Sequence, residues 1–381
     1  MTGINQMINP ALNISSENFY HNLAVHAIAG QSIEDEVALD ILTAQKIDLF
    51  DLVYAAWRIR RHYWGKDVTV HIINNVQNGL CSQDCSYCAQ SKSSKAKIEI
   101  YPVKTDAEIM AEAEQAYRAG AFRHCLVFSG YTQTDKRIEH LADIVRQIKS
   151  RFPMQVCVSP GVITYEQALV LKKAGLDRLN HNLNTSEKFY PQICSTHTFQ
   201  DRLNTVRAAR RADLEVCSGI IVGLGEGPRD IITLARNLKE VGAASIPINF
   251  LIPIQGTAVH QPVDLTPKYC LRILCLFRII NPASEIRIAA GRELYLKDMQ
   301  ILGLMAANSL FLDGYLNVRG SQRLRTLQMI KDAGLSIRCD RSLDQILAQE
   351  RKRETAMPND TDIRLKTFDD LHPSGIDEKK G

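Results

Sequence analysis

The sequence predicts an α/β protein: a closed (β/α)8 TIM-type barrel with an N-terminal helical cap and a disordered C-terminal tail. Eight short β-rich runs recur between residues 66 and 320, and amphipathic helical patterns fall between them. Strict alternation of the two element types implies parallel strands joined by helical crossovers. Eight such units over roughly 250 residues imply that the sheet closes on itself. The composition is that of an ordinary globular chain, 381 residues with 45% hydrophobic and 23% charged.

Residues 1–65 read as a helical extension. "EDEVALDILTA" and "DLFDLVYAAWRIRRHYWG" carry apolar residues at helical spacing and suit a cap on the barrel, not a separate domain. The strand-like runs are then "VTVHIINNV" (68–76), "RHCLVFSG" (123–130), "MQVCVSPG" (154–161) and "RLNHNLNT" (178–185). They continue with "EVCSGIIVG" (215–223), "SIPINFLI" (245–252), "EIRIAAG" (285–291) and "SLFLDG" (309–314). Helical patterns such as "DAEIMAEAEQAYRAG" (106–120), "YEQALVLKKAG" (165–175) and "PRDIITLARNLKEVG" (228–242) separate them. Pro228 suits a first helical turn, and Gly120, Gly175 and Gly242 suit helix C-termini. Residues 321–340 read as a helical and loop segment. Residues 341–381 are rich in charge and poor in apolar side chains, which predicts disorder.

A formal charge of +4 without patterning argues against nucleic-acid or membrane-surface binding. The first twenty residues lack the charged and apolar regions of a secretory leader, and no uncharged apolar run is long enough to span a bilayer. A cytoplasmic setting is expected. In that setting ten cysteines point to metal binding or catalysis before disulfides.

"NGLCSQDCSYCAQS" (78–91) places Cys81, Cys85 and Cys88 in the spacing C-x3-C-x2-C, directly after the first strand. That is the C-terminal mouth of a barrel, where barrel active sites lie. Thiolates are the protein ligands of iron–sulfur clusters. Three of them on a [4Fe–4S] cube leave one iron open to another ligand. A zinc loop completed by a distant His or Cys is the plainer alternative. The spacing, with Tyr87 before the last cysteine, resembles the radical SAM superfamily. The resemblance implies that S-adenosylmethionine chelates the open iron and is cleaved to a 5′-deoxyadenosyl radical.

Cys125, Cys157 and Cys217 fall within the second, third and fifth strands, and Arg287 within the seventh. A buried free cysteine is commonly only a small hydrophobe. Three on separate strands, together with a costly mid-strand arginine, favour a second cluster inside the barrel. Cys194 and Cys339 lack such a context, and Cys270 and Cys275 read as helix packing. Asn180, Asn182 and Asn184 alternate along the fourth run, so as strand residues all three share one face. Interior amides require partners, and a ribose or a cyclic urea would supply them. Asn249 adds another amide, and "GLGE" (Gly223 to Glu226) would let a ligand approach the backbone.

Together, "CSQDCSYCAQS", "LNHNLNTSEKFY", "EVCSGIIVGLGE", "IPINFL" and "IRIAAGRE" resemble the biotin synthase family over roughly residues 70 to 320. The resemblance implies conversion of dethiobiotin to biotin, with an auxiliary [2Fe–2S] cluster as sulfur donor. It implies that Cys125, Cys157, Cys217 and Arg287 hold that cluster. Asn182 and Asn184 would contact the adenosyl ribose, and Tyr87 would lie near the adenine. Asn180, Asn182 and Asn249 would hold the ureido ring, and Phe311 would line the substrate pocket. A flavodoxin- or ferredoxin-type electron donor and a homodimer are implied in the same way. Three positions depart from the family pattern: Asn184 where Asp is usual, Ile220 where Gly is usual, and His197 where Arg is usual. The alternative reading is another barrel-type radical SAM enzyme, hydrogenase-maturase-like or methylornithine-synthase-like.

Overall fold

In the computed structural model the structure describes residues 17–261, 265–354 and 363–373. The strands are β1 (Asp67–Gln77), β2 (Arg123–Phe128), β3 (Gln155–Ser159), β4 (Arg178–Asn180), β5 (Glu215–Cys217), β6 (Ile220–Val222), β7 (Ser245–Phe250), β8 (Glu285–Ile288), β9 (Ser309–Phe311) and β10 (Ser336–Ile337). All neighbouring pairs are parallel, in the order β1-β2-β3-β4-β5-β7-β8-β9, and β9 pairs back onto β1. The expected eight-membered closed barrel is therefore present, with β5 and β6 sharing the fifth position.

The fifth run was expected to be one strand, 215–223, but it breaks at Ser218–Gly219. A Cβ on Gly219 would stand 2.0 Å from the Pro247 carbonyl oxygen, so only glycine passes this point. The break frees the Gly219 N–H to donate to Asn182 Oδ1 at 3.1 Å. The fourth run likewise pairs as a strand only to Asn180.

The helices begin as their sequences suggest. Thr105, Thr164 and Thr198 cap the helices Asp106–Arg118, Tyr165–Lys173 and Phe199–Arg211, each also donating its backbone N–H to the side chain three residues on. Gly120, Gly175 and Gly242 leave their helices at φ values of +81°, +88° and +65°.

The helix Leu49–Trp64 packs on the barrel helices Pro267–Ile280 and Gln300–Ala306, Asp35–Thr43 on Pro267–Ile280 and Pro228–Glu240, and Glu17–Ile28 mainly on Leu49–Trp64, and their apolar residues join the main core. Buried Arg60 ties this cap to the barrel by donating to the Ala307, Gly65 and Asp67 carbonyls at 3.0, 2.7 and 2.8 Å.

The tail departs from the expected disorder in two places. Leu343–Glu354 is a helix, with Ile346 and Leu347 buried against the helix Arg323–Asp332. Ser342 caps it, accepting from the Gln345 N–H while Gln345 Oε1 accepts the Ser342 N–H. Its apolar stripe is Leu343, Ile346 and Leu347 alone, narrow enough to be hidden by the surrounding charge. Farther on, Leu365 bridges Val318, and the Lys366 N–H donates to the Asn317 carbonyl at 2.8 Å. Residues 355–362 and 374–381 lie outside the described residues. Among the described residues, no helix is long and apolar enough to cross a membrane.

Candidate active site

One cavity, with an empty volume of ≈ 1670 Å³ including its mouth, opens at the C-terminal ends of the strands. Cys81, Cys85, Tyr87, Cys88, Cys125, Cys157, Asn180, Asn182, Asn184, Asn249, Arg287 and Phe311 all line it. Of the cluster and ligand residues singled out from sequence, Cys217 stands behind the wall, fully buried, and Gly223 to Glu226 do not line the cavity, Glu226 instead accepting the Gly223 and Leu224 N–H groups.

The cysteine loop is fixed by its own backbone. The Cys81 N–H donates to the Gln90 carbonyl at 2.9 Å, the Lys92 N–H to the Cys81 carbonyl at 2.8 Å, and the Cys88 N–H to the Cys85 carbonyl at 3.0 Å. Gly79 (φ +83°) and Leu80 (φ +53°) turn the chain out of β1 through left-handed conformations. All three loop cysteines are free thiols, so their donor chemistry and shared cavity fit a three-thiolate iron–sulfur site.

Deeper in the barrel, Cys125, Cys157 and Cys217 form one buried cluster with Ala289 and Phe311. Cys125 and Cys157 are level partners on β2 and β3. Hydrogen bonding between them lowers the Cys125 thiol and pushes Cys157 up to about 12. Arg287 directs Nη1 at Cys217 Sγ, 3.5 Å away. Three free thiols and an adjoining guanidinium fit a second, smaller cluster.

Arg287 is not the unpaired charge that its sequence context suggested. Its Nη2 donates to a Glu285 carboxylate oxygen and to Ser245 Oγ at 2.8 Å, and its Nε to Ser309 Oγ at 3.0 Å. Glu285 also accepts from Arg123 and Arg178, each at 3.1 Å, and lies 3.1 Å from His71 Nε2. Burial alone would raise the Glu285 carboxyl, but the charges of Arg178, Arg123 and Arg287 hold it well below the usual range. Burial and the Arg287 charge lower His71 to about 3, leaving it neutral. Sequence reading missed this network, although Glu285 and Arg287 stand two apart on one strand and so share a face.

The three asparagines converge, but not by strand alternation, because β4 ends at Asn180. Asn180 Nδ2 lies 3.2 Å from Cys217 Sγ, next to the sulfur cluster. Asn182 is fixed at its side chain by the Gly219 N–H and at its carbonyl by Arg202 Nη1, at 3.1 and 3.0 Å. Asn184 sits at φ +70°, which asparagine tolerates. Its Nδ2 donates to the Tyr87 hydroxyl at 2.7 Å, leaving Oδ1 available. Asn249 bridges two strands, donating to the Ile220 carbonyl at 3.0 Å and accepting the Ala290 N–H at 3.3 Å. One amide hydrogen and one lone pair therefore remain on Asn249 for a ligand. Ile220 is fully buried in the wall, and its backbone pairs with Asn184.

A family model for the Radical SAM superfamily matches residues 77–238, and one for the Biotin and Thiamin Synthesis associated domain matches residues 247–336. A biotin synthase of Magnetococcus marinus is 49% identical over 83% of this chain and 98% of its own length. One of Acaryochloris marina is 53% identical over 80% of this chain and 88% of its own. Among solved structures, methylornithine synthase superposes with a TM-score of 0.70 at 18% identity, over 88% of this chain and all of that one. The FeFe-hydrogenase maturase HydG of Carboxydothermus hydrogenoformans gives 0.71 at 18% identity, over 87% of this chain and 82% of that one. At that identity the likeness shows the fold alone. The sequence relatives decide the family: the chain belongs to the biotin synthases of the radical SAM superfamily.

Proposed function

We propose that this chain converts dethiobiotin to biotin, with Cys81, Cys85 and Cys88 holding a [4Fe–4S] cluster and Cys125, Cys157, Cys217 and Arg287 holding a [2Fe–2S] cluster. The observation that carries the reading is one cavity lined by the three loop thiols and by Cys125 and Cys157, with Cys217 just behind its wall and asparagine amides reaching toward both sets. When bound, the first cluster and S-adenosylmethionine supply the 5′-deoxyadenosyl radical, and the second cluster supplies sulfur. The chain's own residues bind and orient. Tyr87, Asn182 and Asn184 take the adenosyl ribose and base, while Asn180, Asn182 and Asn249 take the ureido ring. Asn180 sets that ring beside the deeper thiols, because its amide also touches Cys217 Sγ. Phe311, flanked by Tyr315 at 5.5 Å between ring centroids, gives the pocket a dry aromatic wall that shields a radical from water. A flavodoxin- or ferredoxin-type protein delivers the electron, and the chain works as a homodimer; both assignments rest on the family. The cysteines and arginine on β2, β3, β5 and β8 favour this reading over a maturase-like or methylornithine-synthase-like activity.

Formation of biotin from dethiobiotin, S-adenosylmethionine and a reductant without air tests the reaction. Cys217→Ala should end product formation and lower iron and sulfide by roughly the share of one two-iron cluster, while S-adenosylmethionine still binds. Loss of both clusters together would speak against two separate sites.

Asn184→Asp tests the ribose contact. A carboxylate accepts a hydroxyl in a charge-assisted bond about twice as strong as the amide's. The Tyr87 hydroxyl can turn to donate to it. S-adenosylmethionine should bind more tightly by about 1 kcal/mol, or roughly fivefold, in an anaerobic titration. Asn184→Ala should weaken binding, with some added strain from the left-handed backbone. Unchanged affinity in both variants would remove Asn184 from the ribose site.

A further inference from the structure

Cys194 and His197 lie on the loop before the helix Phe199–Arg211, and neither has a role in the reaction outlined above. Both are buried. Cys194 Sγ is 3.8 Å from Cys85 Sγ and 3.2 Å from His197 Nδ1, with His197 Nε2 at 3.8 Å. The ligating atoms of Cys85, Cys194 and His197 all fall within 4.8 Å of one another. A tetrahedral metal with bonds of about 2.3 Å to sulfur and about 2.0 Å to nitrogen spaces two sulfurs about 3.8 Å apart, and sulfur from nitrogen about 3.5 Å. The Cys85–Cys194 and Cys194–His197 separations are close to those values, and the Cys85–His197 pair lies within 4.8 Å.

The loop is held in this place from outside the trio. The Asp84 carboxylate accepts from the backbone of Ser195 and Thr196 at 3.0 and 3.1 Å and from Thr196 Oγ1 at 2.9 Å. It also lies 3.1 Å from Cys194 Sγ. For Nδ1 to ligate, Nε2 must carry the ring hydrogen, which the Tyr190 hydroxyl at 2.9 Å can accept; Arg202 Nε, 3.1 Å from Nε2, also donates to that hydroxyl, and Gln83 Oε1, 2.8 Å from Nδ1, must turn aside for the metal. Neighbours of this kind set the direction of a ligating histidine. A plain structural clamp between Cys194 and Asp84 accounts for the first contact. It does not account for an imidazole and a second thiol meeting on the same sulfur.

We propose that Cys85, Cys194 and His197 form a mononuclear site for a soft divalent cation, zinc or ferrous iron, with water as the fourth ligand. Because the site needs Cys85, it and the four-iron cluster exclude one another. Zinc held there withholds a cluster ligand from iron. The exclusion rests on the cluster assignment made above; the metal binding does not.

The test uses the full chain purified without clusters and titrated with Co(II) under anaerobic conditions. One equivalent should give thiolate-to-cobalt charge transfer and the strong visible bands of a tetrahedral ion. Cys194→Ser, whose hydroxyl can still donate to Asp84, and His197→Ala should each weaken binding at least about tenfold. Two variants on one loop guard against a folding artefact, and their melting curves should match the parent. Cys81→Ala, Cys88→Ala and Cys157→Ser should leave the signal in place. Loss of the signal in any of these three with retention in Cys194→Ser would place the ion elsewhere and overturn the site. In a second arm, protein already carrying the four-iron cluster should bind no cobalt here, and Zn(II) should slow cluster reconstitution in the parent but not in Cys194→Ser. Full occupancy of both metals at once would refute the exclusion, and with it the cluster role of Cys85, while the mononuclear site would stand.

Discussion

A Cys88→Ala protein is expected to make no 5′-deoxyadenosine above background when given S-adenosylmethionine and a reductant without air. The loop has three thiols for a cube that keeps one iron open. Losing one thiol leaves a second iron without a protein ligand, so the site that chelates the cofactor is no longer unique. The fold should survive the change. The bonds that hold the loop run through the backbone of Cys81, Cys85, Gln90 and Lys92 and do not use the Cys88 side chain. Thermal melting of the cluster-free protein should therefore match the parent, which separates loss of chemistry from loss of structure. A normal yield of 5′-deoxyadenosine would remove this loop from the reaction.

Glu285→Gln is expected to cost about 3–5 kcal/mol of stability, because breaking a buried ion network leaves its partners uncompensated. Glu285 is 1% exposed and is the anion shared by Arg123, Arg178 and Arg287. The amide keeps the shape of the side chain, so the loss reports charge. Denaturant unfolding of the cluster-free protein at neutral pH measures it, and a change below about 1 kcal/mol would show that the three arginines find other partners. The pH dependence has a definite sign. The folded Glu285 pKa lies well below its unfolded value near 4.5, so its contribution is complete above that value and fades as pH falls toward the folded one. The gap between parent and variant should narrow in acid. His71 acts over a higher range in both proteins. The unfolded chain takes up its proton below about 6.5, whereas the folded chain refuses it down to about 3. Across that window each unit of acidification should cost up to about 1.4 kcal/mol.

The network also marks where linear reading stops. Arg287 was visible as a charge on a strand, and Cys125, Cys157 and Cys217 were visible as sulfurs on neighbouring strands. Their convergence follows from barrel closure and strand alternation, both of which are encoded locally. The partners of Arg287 are different. Glu285 shares its strand, but Arg123 and Arg178 open β2 and β4 and His71 lies within β1, and any one of them reads by itself as an ordinary polar residue.

The asparagine run shows another limit. Asn180, Asn182 and Asn184 were placed in the cavity for a reason that holds only for the first of them. Beyond Asn180 the chain leaves the strand, and a left-handed residue at Asn184 together with the gap at Gly219 turns the amides inward. Cys194 gave no signal at all, because its relation to Cys85 is a contact across 109 positions of sequence. The helix Leu343–Glu354 was lost in its own charge, and only the surface it packs against shows that three apolar residues suffice.

The sequence by itself determined the alternation of strands and helices, the three-thiol loop at the barrel mouth and the second set of thiols on the strands. These depend on periodicity and spacing, which are properties of short segments. Only the tertiary structure decided which charges neutralise one another beneath the deeper thiols, where the fifth strand breaks, and which loop lies against Cys85. Those outcomes depend on which distant groups share a low-dielectric interior, and no short segment carries that information.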